Sequence, residues 1–173
     1  MPLRQVYLSL GSNLGDRRQN LANALDALEA EGVHVRSCSS VYETEPQDVT
    51  DQPWFLNMAV QCETSVPAPQ LLALTQEVER RLGRVREGKP PRGPRLIDID
   101  ILLFGDAQIA TGELVIPHPR MRERRFVLDP LLEIAPDLRD PSTNEPLRQY
   151  LARVREQKVK RLDPLGRAPA ELP

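Results

Sequence analysis

The sequence predicts an α+β fold of the ferredoxin-like type, βαββαβ, an antiparallel sheet with its helices on one face. Three observations predict it. Apolar residues follow a period of two, or form a short apolar run, at residues 6–10, 33–42, 55–63 and 97–103. They recur at helical spacing at Leu21, Ala24, Leu25 and Leu28, and again at Leu71, Leu74, Val78 and Leu82. The two kinds of segment then succeed one another as β-α-β-β-α-β, the order of that unit.

Each element has a local cause. Residues 6–10 read as a short buried strand that ends in Gly11-Ser12-Asn13, with Gly11 and Gly15 permitting a tight turn. Asp16 can cap the helix that follows, and Gly32 stops it. Residues 33–42 read as a second strand with imperfect alternation, and residues 43–53 as a polar loop punctuated by Pro46 and Pro53. From 55 to 63, Leu56, Met58, Val60 and Cys62 share one face, and Phe55, Asn57, Ala59 and Gln61 the other. Pro67 and Pro69 open the second helix and Gly83 ends it. Residues 84–94 hold prolines, glycines and a run of cations, and read as a mobile loop. In the strand that follows, Ile97, Ile99, Ile101 and Leu103 point one way and Asp98 and Asp100 the other. If the helices cover the apolar face, the face with Asn57, Asp98 and Asp100 must be open or covered by loops. Beyond residue 105 the sequence predicts a hairpin (Ile109, then 113–116), a helix through Ile134 and a last short helix near 147–154. The expected domain is 1–155, with 156–173 a loosely ordered tail.

Composition narrows the function. A chain of 173 residues is expected to be one domain with a real core. A net charge of −2 gives no global bias toward nucleic acid or membrane. The cations are almost all arginine, the only lysines being Lys89, Lys158 and Lys160. That preference suits phosphate forks, and genomic composition explains it equally well. Cys38 and Cys62 lack metal-ligand spacing and read as buried free thiols in a reducing cytoplasm. The N-terminus enters a strand directly, with no signal peptide, and no apolar run is long enough to span a bilayer.

Asp98 and Asp100 carry the chemical argument. Aspartate is a poor strand former, so two on one face need a reason. Residues i and i+2 of a strand lie about 6.5–7 Å apart, which lets two carboxylates converge on a small cation or on a pair of cations. On its own the pattern also describes a strand whose polar face is merely wet. The flanks shift the balance: Arg84, Arg86, Lys89, Arg92 and Arg95 precede the aspartates, and His118, Arg120, Arg122, Arg124 and Arg125 follow. Carboxylates between cations suit a metal–polyphosphate complex, and an all-oxygen set favours Mg²⁺ over zinc. A Walker A loop is missing, because Gly11-Ser12-Asn13-Leu14-Gly15 is followed by Asp16. Aromatics are scarce, so Phe55 beside Asn57 is informative: a flat heterocycle can stack on the ring while the amide pairs with its edge. Ordinary packing explains the same pair. Phe126 can supply an opposing face or fill a helix core, and His118, set between prolines, can contact phosphate or be structural.

Taken together these motifs are similar to those of the 6-hydroxymethyl-7,8-dihydropterin pyrophosphokinase family of folate biosynthesis. The matching pieces run in order from Tyr7 to Pro136. They include Leu10-Gly11-Ser12-Asn13, Tyr42 through Pro46, Asp51 through Asn57, Gln76 with Glu79, Gly83 through Arg86, Pro117 through Met121, Arg124 with Phe126, and Glu133 through Pro136. The run from Gly93-Pro94-Arg95 through Asp98 and Asp100 to Phe104-Gly105 is the most specific. The resemblance implies pyrophosphate transfer from ATP to the pterin hydroxymethyl group on a ferredoxin-like fold. Asp98 and Asp100 would hold two Mg²⁺ ions. Arg84, Arg86, Arg95, His118 and Arg124 would hold phosphates, with Arg84 and Arg95 in catalytic positions. Gln76, Glu79, Ile101, Leu114 and Val115 would line the adenosine pocket, partly through backbone, and Thr44, Pro46, Phe55, Asn57 and Phe126 would form the pterin slot. ATP and the pterin are the implied partners, with no nucleic acid or membrane, and a cytoplasmic monomer is the expectation. The choice of the β-phosphorus over the γ-phosphorus comes from the resemblance alone. Arg92 departs from it, standing where the family often has an aromatic, as do Gln47 and Asp48 after Pro46, where it often has glycine, and a slightly longer loop at 84–95.

Two other classes share some of these features. A two-metal nuclease or nucleotidyltransferase would use the paired aspartates but needs a basic groove, which the net charge argues against. A ferredoxin-like RNA-binding module would want aromatics where this chain has carboxylates, which repel phosphate in the absence of metal.

Overall fold

A computed structural model describes residues 2–83 and 95–166. The first strand, β1 (Arg4–Ser12), is longer than its apolar run and lies inside the sheet, with a strand paired on each side. Helix α1 (Arg17–Ala30) starts where the Asp16 side chain accepts from the Gln19 N–H, and buries Leu21, Ala24, Leu25 and Leu28. Gly32 then takes a φ of 85°, which a side chain would resist. The irregular second strand is two: β2 (His34–Cys38) and β3 (Tyr42–Thr44), both paired with β4 (Phe55–Thr64). Helix α2 (Ala68–Arg81) follows Pro67, and β5 (Asp98–Phe104) carries the aspartates. A small hairpin of β6 (Ile109–Ala110) and β7 (Val115–Ile116), a 3-10 turn at Met121–Glu123, helix α3 (Arg125–Ile134) and a 3-10 helix at Leu147–Arg153 complete the expected C-terminal elements. A further element differs from expectation. Val159–Arg161, within the expected loose tail, forms β8.

The sheet has six strands in the order β5-β1-β4-β3-β8, with β2 also on β4, and each described pairing is antiparallel. One face carries Val6, Leu8, Leu10, Leu56, Met58, Val60, Ile99 and Ile101, packed against α1 and α2. The expectation of helices on one face alone is corrected by the other face. There Tyr7, Ala59, Leu102 and Leu103 pack against Val127, Leu128 and Leu131 of α3, with Met121, Leu147, Tyr150 and Val154 completing a second core. Tyr7, Ala59 and Leu102 reach this face by alternation, and a β-bulge adds Leu103. Tyr7 pairs with Leu103 but Leu8 pairs with Ile101, so β5 has one residue more than β1. Side chains beyond the bulge change face: Leu103, expected with the isoleucines, joins the second core, and Phe104 packs on the first.

The second core covers only one end of its sheet face. At the other end the cross-strand row is Asp98, Gly11, Asn57 and Tyr42, and the next is Asp100, Ser9 and Ala59. The middle positions on β1 are glycine and serine. They are too small to fill the space between Asp98 and Asn57, so a hollow remains beside the start of α3.

Candidate active site

The hollow is a cavity of about 460 Å³. Ser9 and Gly11 form its floor, and its walls include Thr44 through Asp48, Gln52, Phe55, Asn57, Leu72, Gln76, Glu79, Arg95, Asp98, Asp100, His118, Arg120, Arg124 and Phe126. Chain segments far apart in sequence therefore meet around the two aspartates.

Asp98 and Asp100 project from β5 into this space with side chains 26% and 32% exposed. Arg95 lies 3.1 Å from Asp98, and Arg124 lies 4.0 Å from Asp100. Both oxygen donors are reachable and are offset by cations. Mg²⁺ is ordinarily held through one or two carboxylates, with substrate phosphates and water filling its octahedron. The pair fits that requirement. Among the described residues no group of three or more His, Cys, Asp or Glu side chains forms a metal cage.

Arg124 reaches the cavity from the turn before α3. Its guanidinium is 5.4 Å from the Phe126 ring, and its buried Nε has no hydrogen-bond partner among the described residues. Burial pushes its pKa down, while Asp100 pulls it up. His118 is fixed by its backbone N–H to Leu102 O at 3.0 Å, and its Nδ1 accepts from the Arg120 N–H at 3.2 Å. Burial, then the charge of Arg124, pushes His118 down to about 4, so it is neutral near pH 7. Arg120 itself pairs with Asp48 across the cavity mouth at 3.3 Å.

Asn57 also lines the cavity and is 4% exposed. Its Nδ2 donates to Thr44 Oγ1 at 2.6 Å, which fixes the amide plane and leaves the second N–H and Oδ1 for a ligand edge. A Cβ on Gly11 would stand 2.5 Å from that Oδ1, so only glycine leaves the amide in place. Phe55 and Phe126 stand in the same cavity wall.

Most expected site residues converge here: Asp98, Asp100, Arg95, Gln76, Glu79, His118, Arg124, Thr44, Pro46, Phe55, Asn57 and Phe126 all line the cavity. Glu79 is 3% exposed and its Oε2 accepts from the Ile99 N–H at 3.2 Å, so it orients β5 directly. Ile101, Leu114 and Val115 do not line the cavity. Ile101 and Leu114 face the first core, leaving only their backbone to meet a ligand, and Val115 stands exposed on the hairpin. Arg84, Arg86 and the expected mobile loop at 84–94, with Arg92, lie outside the described residues. Asn13 and Gly11 escaped assignment as site residues. Both stand in the Leu-Gly-Ser-Asn motif, but their roles depend on partners distant in sequence.

A family model described as 7,8-dihydro-6-hydroxymethylpterin-pyrophosphokinase (HPPK) matches residues 7–136, the stretch that holds every wall of the cavity. The chain belongs to the HPPK family. It is 47% identical over 154 residues to the Bacillus subtilis 2-amino-4-hydroxy-6-hydroxymethyldihydropteridine pyrophosphokinase, covering 88% of this chain and 91% of that protein. The Methylorubrum extorquens protein of the same name is 44% identical over 93% of this chain and 100% of its own length. In three dimensions the chain is similar to Plasmodium falciparum HPPK-DHPS with pteroate, with a TM-score of 0.70 at 17% identity. That match covers 88% of this chain and 44% of the other, and it supports the mixed α/β fold with an antiparallel sheet. Cys38 and Cys62 are free thiols, and no helix among the described residues is long and apolar enough to cross a membrane.

Proposed function

We propose that this chain transfers pyrophosphate from ATP to the hydroxymethyl group of 6-hydroxymethyl-7,8-dihydropterin, releasing AMP and the pterin diphosphate, as a step of folate biosynthesis. The observation that carries the reading is one cavity that holds an aromatic and amide slot beside a carboxylate pair flanked by cations, inside the HPPK match.

The pterin lies against Phe55 and Phe126, and its edge pairs with Asn57, which Thr44 holds in orientation. Pro46 closes the slot from the loop before β4. Gln76, and Glu79 through its hold on Ile99, shape the adenosine side. Arg95, His118 and Arg124 hold the phosphates, with Arg84 and Arg86 added from outside the described residues. Asp98 and Asp100 would hold Mg²⁺, two ions in this proposal, which neutralise phosphate charge and lower the pKa of the acceptor hydroxyl. None of the described side chains is needed as a covalent nucleophile. The protein supplies position and charge, which is most of what phosphoryl-type transfer requires. Arg95 and Arg124 offset the charge that builds as the bond to the α-phosphate breaks. Neutral His118, whose Nδ1 accepts from the Arg120 N–H, keeps its proton on Nε2 and donates one hydrogen bond without adding a charge. A monomer in the cytoplasm completes the proposal.

Phosphorus NMR of a reaction with ATP, Mg²⁺ and the pterin decides the matter. AMP and a pterin diphosphate are expected. Stoichiometric ADP without AMP would overturn it.

A further inference from the structure

We propose that Gln157, in the C-terminal segment outside the family match, is a positioning residue that sets the two walls of the pterin slot relative to each other. The inference rests on the pyrophosphokinase reading for its consequence in catalysis, and on hydrogen bonds alone for its geometry.

Helix α3 begins beside Arg124 and has no local side-chain cap. Gln157 takes that place from 32 residues away: its Oε1 accepts from the Arg125 N–H at 2.9 Å. Its Nε2 donates to Glu123 O at 2.8 Å. One side-chain amide thus binds the backbone immediately before and immediately after Arg124. The Arg125 guanidinium returns the contact, donating to Gln157 O at 2.9 Å and to Arg155 O at 3.1 Å. The wall that carries Arg124 and Phe126 is therefore set by Gln157.

The next residue binds the opposite wall. Lys158 N–H donates to Glu45 Oε1 at 2.9 Å, and Glu45 N–H donates to Lys158 O at 3.1 Å. Glu45 lies between Thr44 and Pro46 of the slot and itself lines the cavity. Beyond it, β8 pairs Val159 with Thr44 and Lys160 with Glu43, which fixes the register of this wall. Two consecutive residues thus join the Thr44–Pro46 wall to the Arg124–Phe126 wall. The Arg124 guanidinium is loosely held: its Nε is unpartnered among the described residues, its described carboxylate contact is at 4.0 Å, and the Phe126 ring against it moves with the same helix start. A change in the α3 start would move Arg124 and Phe126 together.

The test compares full-length chains. Gln157→Leu keeps the size and removes both amide contacts. Gln157→Glu keeps the acceptor for Arg125 and removes the donor to Glu123. Arg18→Ala is the control: it removes bonds from Arg18 to Asp163 O and Pro164 O on the same segment, away from both walls. The pterin KM is expected to rise about five- to twenty-fold in Gln157→Leu and by less in Gln157→Glu, with the KM for ATP changed less. Arg18→Ala is expected to lower Tm and leave both constants unchanged. A pterin KM within two-fold of wild type in folded Gln157→Leu, or an equal rise in Arg18→Ala, would overturn the proposal. Hydrogen exchange of segments 44–47 and 123–128 gives a readout that needs no turnover. Faster exchange in both segments of Gln157→Leu is expected, and unchanged exchange in either segment would overturn the coupling. Wild-type chain without AMP production would overturn the pyrophosphokinase reading, and the exchange result would then decide the coupling by itself.

Discussion

Asn13 and Arg95, 82 positions apart, hold each other by reciprocal hydrogen bonds: Arg95 N–H donates to Asn13 Oδ1 at 2.7 Å, and Asn13 N–H donates to Arg95 O at 3.0 Å. Asn13 Nδ2 also donates to Gln52 Oε1 and to Pro53 O. One amide just past the end of β1 therefore joins the approach to the aspartates with the Gln52–Pro53 loop beside the cavity.

Replacing that amide should affect both sides. Asn13 is 2% exposed, so Asn13→Ala leaves buried polar groups without partners. A stability loss of about 2 kcal/mol is expected, together with a fall in turnover, because Arg95 loses the side-chain half of its two bonds to residue 13. Urea unfolding and an AMP-production assay on the same preparation would check it.

Asp98→Asn and Asp100→Asn should each lower turnover by about 100-fold or more and leave the fold intact, because both side chains leave the core and reach the cavity. Circular dichroism with the AMP assay separates the two effects. Near-normal turnover in either folded variant would remove that aspartate from the metal site.

Gly11→Ala should damage the pterin side selectively. The new methyl would meet Asn57 Oδ1 at 2.5 Å, and Asn57 is held by Thr44 and cannot swing away cheaply. Calorimetry should show pterin affinity falling about ten-fold or more, with a smaller change for an ATP analogue.

Phe55→Ala should weaken pterin binding and leave ATP binding nearly unchanged, since it removes one stacking face. Titration of each ligand is the measurement. Equal losses for both would make Phe55 a folding residue.

His118 should make stability depend on pH. Its pKa in the folded protein is pushed down to about 4, from an ordinary value near 6.5. Between those values the unfolded chain binds more protons, so the contribution is complete above about pH 6.5, falls as pH drops and is lost below about pH 4. The wild-type protein should lose of order 2 kcal/mol across that window that His118→Gln does not lose. Denaturant unfolding at pH 7, 5.5 and 4 would measure the difference.

Part of this protein was legible in the chain because its causes are local. Period-two alternation placed Asp98 and Asp100 on one face, and Asn57 opposite Met58, whatever else the chain did. Helical spacing, Asp16 and the glycines at 32 and 83 placed the two helices of the first core. The motif run from 93 to 105 identified the family. Other features came only with tertiary structure. The bulge that sends Leu103 to the other face depends on the register of β5 against β1, and alternation in one strand carries no information about its partner's count. The second core over that face depends on α3 packing back onto it. Glu133 is part of that packing, accepting from Tyr42 Oη at 2.6 Å across 91 positions. The need for glycine at 11 exists only because Asn57 is its cross-strand neighbour. Gln157 reads as one more polar residue in a charged tail until β8 pairs with β3 and brings its amide to the start of α3. A hydrogen bond between groups far apart in sequence leaves no periodic trace in either segment, so the chain order encodes the strands and their faces, and only the folded molecule decides which polar groups meet.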